Sequence, residues 1–373
     1  MKTYLTILIL LSAACLPASA DDLGLNAEND LASTSINVDH NVPYHTSWHP
    51  TTNMIGDGGL LQPRIIVRGS RIFYFQNHVS KVSENNSAIP QDRLSLNYSN
   101  LQNVGIGRGG GAPVIDDIQE FRLFAEKTIL GGAASLEFLL PIYNTTENDV
   151  RTPGEFIVGA QTHGEIGDLA FGIKGLLFDR DHTAVSVGLR VEAPTREDIN
   201  VFPDVEINDD VWHFTPYIAT KWTPNDRLFL NSFISYRLNS DSYDNSSIAG
   251  DFKVRESTYL MADASLGYWI RRPQEFRTIR SIASVLELHY TTSPDVETVN
   301  QLQGISATGV SLGHTDYLNL TLGLITHLGD HASLSSGVSL PLRSNSVDAF
   351  NSFIGATDRN FDWAYLLNLN YSY

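Results

Sequence analysis

The chain has 373 residues, a formal net charge of −17 and only 25 lysine and arginine residues. A nucleic-acid-binding protein normally shows a basic stripe, so we expect no nucleic-acid partner. Hydrophobic residues make up 42% and aromatic residues 10% of the sequence, which excludes an intrinsically disordered chain. After the N-terminus no apolar run is long enough for a membrane-spanning helix, so a helical membrane protein is also excluded.

Residues 1–20 are typical of a secretory signal peptide. Lys2 supplies a positive start, residues 4–14 form an apolar run, and small residues at 18–20 precede Asp21. The only cysteine of the sequence, Cys15, lies inside this segment. A chain that begins at Asp21 would therefore have no disulfide and no thiol nucleophile.

Residues 21–91 have little regular periodicity and begin with a stretch rich in Asn, Asp, Ser, Thr and Pro. We interpret them as an irregular N-terminal segment in the periplasm or as a plug. Within them, residues 64–76 (RIIVRGSRIFYFQ) are compatible with a strand. This stretch could add a strand pair to the sheet that follows, or it could fold into the interior of that sheet.

From residue 92 onward, apolar residues alternate with small or polar residues, which is the period-two pattern of β-strands. Twelve segments show it, near 92–103, 118–129, 134–143, 168–179, 182–193, 211–223, 227–239, 258–271, 282–293, 317–328, 332–343 and 362–373. Short and long gaps between these segments alternate without a break, as in barrels with short periplasmic turns and long external loops. We therefore predict an all-β fold, a transmembrane up-and-down antiparallel β-barrel at residues 92–373. It has 12 strands, or 14 if residues 64–76 contribute a pair.

The last predicted strand has the clearest division between its two faces. One face carries Leu367, Leu369, Tyr371 and Tyr373, and the chain ends on this last aromatic residue. The ending resembles the C-terminal signal by which the insertion machinery recognises outer-membrane proteins, so we expect that machinery and outer-membrane lipid as partners. We assign six aromatic residues near strand ends to girdles at the membrane interfaces: Trp222, Tyr259, Trp269, Tyr290, Trp363 and Tyr373.

Two stretches carry a resemblance to a known family. Residues 85–93 (NNSAIPQDR) lead into the first predicted strand, and residues 223–229 (TPNDRLF) include a turn. From about residue 83 to its end, the chain resembles the Gram-negative outer-membrane barrels assigned to transport, among them proteins linked to phenol-degradation pathways. The resemblance implies a 12-stranded barrel with a transport role, with no substrate assigned and no catalytic residues.

The alternation places many ionisable side chains on the inward face of the predicted barrel. They are Arg122, Glu126, Glu137, Lys174, Arg190, Glu192, Lys221, Arg237, Asp263, Arg271, Glu287, His289, His327 and Arg343. Acidic and basic residues come from neighbouring strands. In a water-filled lumen these charges would produce a transverse field that selects polar solutes. Alternatively, they would pair across strands and fill a narrow lumen.

Other candidate sites in the sequence are weaker. Residues 105–110 match GxGxxG, but a dinucleotide site needs a helix after the motif, and here another strand follows. Histidines at positions 40, 45 and 49 stand among prolines, which disfavours the helical spacing of a zinc site. The acidic loop at 204–210 lacks EF-hand spacing. We predict no metal site and no cofactor.

The sequence thus predicts an outer-membrane channel or transporter, exported across the inner membrane, for passive or facilitated passage of small solutes through a charged lumen. The alternative is a structural or surface-interaction barrel with a filled lumen and long contact loops, such as residues 145–167 and 294–316. An outer-membrane enzyme is a third possibility. We predict no catalytic activity, because neither a GxSxG run nor a comparable nucleophile motif occurs.

Overall fold

A computed structural model describes most of the chain beyond residue 51. The described residues are 52–68, 71–105, 115–150, 161–180, 182–196, 199–202, 205–207, 210–241, 243–247, 252–255, 258–272, 278–294, 298–299, 316–343, 359 and 361–373. The predicted signal peptide, the histidines at 40, 45 and 49 and most of the GxGxxG motif lie outside these ranges. Within the described ranges, no helix is long and apolar enough to cross a membrane.

Strands dominate the described chain. In chain order they are β1 (Leu60–Arg68), β2 (Arg71–Val79), β3 (Arg93–Gly105), β4 (Ile115–Ile129), β5 (Ala134–Val150), β6 (Gln161–Ile166), β7 (Leu169–Arg180), β8 (Thr183–Ala193), β9 (Ile199–Phe202), β10 (Val205–Ile207), β11 (His213–Trp222), β12 (Leu228–Asn239), β13 (Tyr243–Ser247), β14 (Phe252–Arg255), β15 (Tyr259–Arg271), β16 (Ile279–Thr292), β17 (Thr298–Val299), β18 (Asp316–Leu328), β19 (Ala332–Pro341) and β20 (Trp363–Ser372). A single turn of 3-10 helix, Leu130–Gly132, joins β4 to β5.

Twelve of these strands form a closed antiparallel barrel, in the order β3, β4, β5, β7, β8, β11, β12, β15, β16, β18, β19 and β20. The barrel closes where β20 pairs with β3, from Trp363 opposite Gln102 to Ser372 opposite Arg93. The predicted fold class and strand number are confirmed. The alternative of 14 wall strands is wrong, because the β1–β2 hairpin pairs only with the far end of β5, where Ile72 lies opposite Val150.

The connections at the two ends of the barrel differ in length, as predicted. Short connections such as 130–133, 223–227 and 329–331 lie at the end where the chain finishes, and long ones lie at the other. Five short strands within the long connections, β9, β10, β13, β14 and β17, form a second sheet. Since outer-membrane barrels have short turns in the periplasm, the C-terminus lies on the periplasmic side.

Side chains along the wall strands alternate between an apolar outward face and a polar inward face. On β3, Leu94 and Leu96 are exposed, whereas Ser95 and Asn97 are buried. The other wall strands follow the same pattern, and their exposed residues include Phe121, Leu123, Phe171, Ile173, Leu286, Leu322, Leu324, Leu340 and Leu369. In hydrocarbon, every backbone N–H and C=O group needs a partner within the protein, and the outer surface must be apolar. A closed barrel with an apolar outer face meets both requirements. The barrel therefore spans the outer membrane.

The assignment of aromatic girdles is correct in part. Trp363 and Tyr373 are exposed on the outer surface, but Tyr259 and Trp269 are buried inside the barrel. Both lie an even number of positions from the inward Asp263 on β15, so they have the same parity and also point inward. The centroid of the Trp269 ring lies 5.3 Å from that of Phe229. Tyr290 lies between the inward positions 289 and 291 and so faces outward, but it is buried in a cluster with Ala262, with the Arg343 guanidinium 5.9 Å from its ring.

Inward aromatic rings are accommodated by glycines on the neighbouring strand. Phe229 lies opposite Gly267, and Tyr217 lies opposite Gly188. A Cβ atom at either glycine would overlap the facing ring. The glycines therefore allow these bulky side chains to lie flat against the wall.

Replacing Gly267 with alanine should destabilise the barrel by about 1–3 kcal/mol, because the ring of Phe229 must move. The control is Gly175→Ala on β7, since the nearest atom to a Cβ built there is 4.0 Å away. Urea unfolding of the refolded protein, followed on heat-shift gels, compares the two variants. Equal urea midpoints for both would show that the ring does not depend on the glycine.

Candidate functional site: the charged lumen

Two stretches of the N-terminal region lie inside the barrel, residues 52–60 and 79–91, which we call the lumenal segment. At the long-loop end, Leu60 and Val79 pack against Tyr259 and Tyr317. At the short-turn end, the second stretch leads directly into β3. The chain therefore passes through the lumen twice, with the β1–β2 hairpin between the two passages.

The first passage bends at glycines rather than forming a regular element. Gly56, Gly58 and Gly59 have φ values of 102°, 91° and 81°, which side chains rarely adopt. At Gly59 a Cβ atom would lie 2.6 Å from the Val79 carbonyl oxygen. The sequence GDGG at 56–59 thus allows the backbone to approach both the wall and the second passage.

Lys81 forms the centre of the first buried charge cluster. Its ammonium lies 2.7 Å from Asp57 Oδ2 and 3.8 Å from Asp263 Oδ1 on β15. Asn319 Nδ2 also donates to Asp57, at 2.8 Å. Burial by itself would raise the pKa of Asp57, but the charges of Lys81 and His289 hold this pKa below its ordinary value of 3.8. The lumenal segment is thus bound to the wall by a charged, hydrogen-bonded network.

Glu287 on β16 binds the backbone of the first passage. Its carboxylate accepts hydrogen bonds from the N–H of Ile55 at 2.9 Å and of Gly56 at 2.8 Å. His289 lies beside it, with Nε2 3.4 Å from Glu287 Oε2 and Nδ1 2.9 Å from Asp263 Oδ1. Glu287 therefore holds this part of the chain, and His289 joins Glu287 to Asp263.

A second cluster joins the lumenal segment to β4. The Arg122 guanidinium forms an ion pair with Glu84 and lies 3.3 Å from Glu120 Oε2. The His78 ring is enclosed by two acceptors, with Nδ1 2.9 Å from Glu120 Oε1 and Nε2 2.6 Å from the Gly58 carbonyl oxygen. Only the protonated imidazole can donate to both. Burial disfavours that charge, but Glu120 and Glu84 outweigh it and raise the pKa of His78 above its ordinary value of 6.5.

A third cluster lies on β3, β4, β5, β7 and β8. Lys174 Nζ is 2.8 Å from Glu126 Oε1, 3.2 Å from Glu137 Oε1 and 2.9 Å from Asn86 Oδ1 of the lumenal segment. Arg93 Nε lies 3.0 Å from Glu126 Oε2. Arg190 Nη2 lies 3.6 Å from Glu137 Oε2. Cations and anions of neighbouring strands therefore compensate one another, and the segment adds further partners.

The remaining predicted lumen residues are spread along the barrel. Arg237 pairs with Glu192, and Arg343 pairs with Asp316 near the long-loop end. Lys221 is buried on β11, and Arg271 is partly buried at the end of β15. Within the described ranges, no three His, Cys, Asp or Glu side chains are grouped so as to hold a metal ion.

His327 lies at the short-turn end, beside a cavity of about 400 Å³. Its Nδ1 is 2.8 Å from the Ser281 hydroxyl. Asn53 and Gln91 of the lumenal segment form part of the cavity lining, together with Arg280 and Tyr373 of the barrel. Both passages of the lumenal segment therefore border this periplasmic cavity.

The inward-residue prediction omitted several members of these clusters. Arg93 and Glu120 occupy inward positions on β3 and β4 and follow the parity of Asn97 and Arg122, so the alternation could have found them. Asp57, Lys81 and Glu84 belong to an irregular stretch without periodicity, so parity gives no signal for them.

Raising the pH from 6.5 upward should loosen the lumenal segment. Protonated His78 stabilises the lumenal segment fully at pH values below the pKa of a freely solvated imidazole. This stabilisation is lost as the pH rises through the higher pKa that His78 has while the segment lies in the lumen. The groups facing the ring are Glu120, Glu84 and Arg122. Solute efflux from proteoliposomes should increase over this range in the unaltered protein and change less in His78→Gln. Identical pH dependence in both proteins would contradict this role.

Comparison with known proteins gives one family match and several similar folds. Residues 97–273 match the family described as "Putative MetA-pathway of phenol degradation". A search of curated proteins found no match. An outer membrane channel from Pseudomonas putida F1 is 11% identical, with a TM-score of 0.49, over 76% of this chain and 94% of that chain.

Two further solved structures are also similar in fold. The beta domain of the Bordetella autotransporter BrkA is 12% identical, with a TM-score of 0.43, over 76% of this chain and 100% of that chain. A FadL homologue from Pseudomonas aeruginosa is 11% identical, with a TM-score of 0.35, over 77% of this chain and 93% of that chain. The chain is an outer-membrane β-barrel, and its resemblance to the barrels linked to phenol-degradation pathways is confirmed over residues 97–273.

Proposed function

We propose that this protein is an outer-membrane channel for small solutes and that the lumenal segment is the plug that closes it. One observation carries the proposal. The ladder of the 12 wall strands is complete without residues 52–91, because β20 pairs directly with β3. Displacing the segment would therefore leave the barrel intact and its charged lumen accessible to solutes.

The polar character of the contacts supports a removable plug. Replacing buried ion pairs by apolar packing is often neutral or stabilising, so a permanently filled lumen gains little from charges. Here Lys81, Glu84 and Asn86 of the lumenal segment contact wall residues through ion pairs and hydrogen bonds. Water and a polar solute can replace such partners, which an apolar interface would not permit.

The alternative is a structural barrel with a permanently filled lumen. The occupied lumen fits this alternative equally well, and the two proposals differ only in whether the lumenal segment can leave. We propose no enzymatic role. The Ser281 hydroxyl contacts His327 as a nucleophile would contact its base. However, Ser281 is completely buried while the lumenal segment is in place, so a substrate carbonyl does not reach it in this structure.

The last strand fits a role in membrane insertion. We propose that Leu367, Leu369, Tyr371 and Tyr373 form the signal for the insertion machinery. Leu369, Tyr371 and Tyr373 are exposed on the outer surface of β20 and at its end, and Leu367 is partly buried. Alternate Asn368 and Asn370 face inward, so the outward stripe remains apolar and aromatic.

Proteoliposomes containing the full-length protein test the channel. Folded barrel is verified by its shift on unheated gels, and uptake is measured for sugars of increasing size, with dextran as the excluded solute. We expect small sugars to enter faster than into protein-free liposomes. If a folded barrel admits no solute, even after its plug contacts are weakened, the filled structural barrel is the correct description.

A further inference from the structure

The barrel wall binds the peptide backbone of the lumenal segment directly. Inward side chains on seven strands donate to or accept from its main chain. Six wall side chains donate to carbonyl oxygens of the segment: Asn231 to Thr52, Asn368 to Ile55, Thr321 to Gly56, Arg190 to Lys81, Arg93 to Asn85 and Ser186 to Ala88. Backbone N–H groups donate to the wall carboxylates Glu287 and Glu126. Every one of these contacts is to a group that all peptides possess.

Two consecutive residues are held on both sides of the backbone. Ile55 donates its N–H to Glu287 at 2.9 Å, and its carbonyl accepts from Asn368 Nδ2 at 3.2 Å. Gly56 donates its N–H to Glu287 at 2.8 Å, and its carbonyl accepts from Thr321 Oγ1 at 2.8 Å. This alternation of acceptor and donor matches the repeating N–H and C=O of a polypeptide.

The wall also provides a pocket for one side chain. Ile55 packs in an apolar cluster with Phe229, Trp269, Ala283, Val285, Ile325 and Leu366. It lies against Gly323 and Gly337, where a Cβ atom would come too close to it. The next residue, Gly56, has a φ of 102° that favours glycine. The site therefore suits a bulky apolar residue followed by glycine.

We propose that the solutes bound in the lumen after plug displacement are short peptides, held by the wall groups that now bind residues 55–56. The inference rests on the proposed function, because the lumenal segment must first leave. The lumen already contains two passages of chain side by side, so it has room for one added peptide. The lumenal segment then competes with the peptide for these wall groups, and it differs from the peptide in being part of the same chain as the barrel.

A synthetic peptide TNMIGNG is the probe, with the sequence of residues 52–58 except that Asn replaces Asp57, whose ammonium partner Lys81 is absent from the protein used. Its binding to the refolded full-length Lys81→Met protein, in which the plug contacts are weakened, is measured by fluorescence anisotropy. The matched control is the same peptide N-methylated at the Ile and Gly positions, which keeps the side chains but removes both N–H donors. We expect the control to bind about 10- to 100-fold more weakly, since it loses hydrogen bonds to a charged group.

Glu287→Gln, added to the same protein, should weaken binding of the unmodified peptide and reduce the difference between the two peptides. Equal binding of both peptides to Lys81→Met, or no binding of either, would overturn the inference. Because binding does not require conduction, these results are independent of the channel assay. A barrel that takes up sugars but does not bind the peptide would leave the proposed function standing and refute only the peptide inference.

Discussion

Replacing Lys81 with methionine is expected to turn a mostly closed barrel into one that conducts. The ammonium of Lys81 is the cation beside buried Asp57 and lies 3.8 Å from Asp263. Removing one partner from a buried charge pair costs about 3–5 kcal/mol. The open fraction should rise by about 100-fold or more, since each 1.4 kcal/mol corresponds to a factor of ten. Planar-bilayer conductance measures the change directly.

Lys127→Met is the control for this variant. Lys127 forms a similar pair with Asp92, at 2.9 Å, but its side chain is 59% exposed at the periplasmic end of β4. Exposed pairs contribute about 0–1 kcal/mol, so conductance should stay close to that of the unaltered protein. If Lys81→Met and Lys127→Met have the same conductance, the buried pair does not retain the plug.

A disulfide between the plug and the wall should abolish conduction. A Cβ atom at Gly58 would lie 3.5 Å from the Cβ of Ala364 on β20, within the Cβ–Cβ range of disulfides, about 3.5–4.5 Å. We expect Gly58→Cys with Ala364→Cys, introduced into Lys81→Met, to be silent when oxidised and to conduct after reduction. Conductance before and after addition of dithiothreitol provides the measurement.

The reduced form of the same protein controls for strain, because Gly58 has a φ of 91° and a side chain there is unfavourable whether or not the bond forms. Ala364→Cys alone, in the same background, controls for the oxidant and should conduct throughout. Cleavage of the signal peptide would remove Cys15, so no other thiol would compete. Undiminished conduction by the oxidised pair would show that solutes pass without movement of residue 58.

The barrel could be predicted from the sequence because its pattern is local. Apolar residues such as Leu94 alternate with polar residues such as Ser95 along each strand, and the gaps between these alternating segments give the number of strands. Parity also identifies inward residues, and applied consistently it would have assigned Trp269 to the lumen together with Asp263. The girdle assignment is wrong for Tyr259 and Trp269, because an aromatic residue near a strand end suits either face.

The contacts of the lumenal segment could not be predicted in this way. Lys81 meets Asp263, and Ile55 meets Glu287, across more than 180 positions of sequence. No periodicity marks the irregular stretch that contains Asp57 and Glu84. Its sequence resembles a loop, and its partners are fixed only when the barrel surrounds it.

Single-channel recording of the unaltered full-length protein in a planar bilayer tests the central claim most directly, with a heat-shift gel to show that the barrel has formed. We predict long closed periods interrupted by discrete openings, of the same size as those of Lys81→Met but far rarer. Continuous conduction would contradict a lumen closed by its own N-terminal segment. Silence of both proteins, each verified as folded, would contradict a channel.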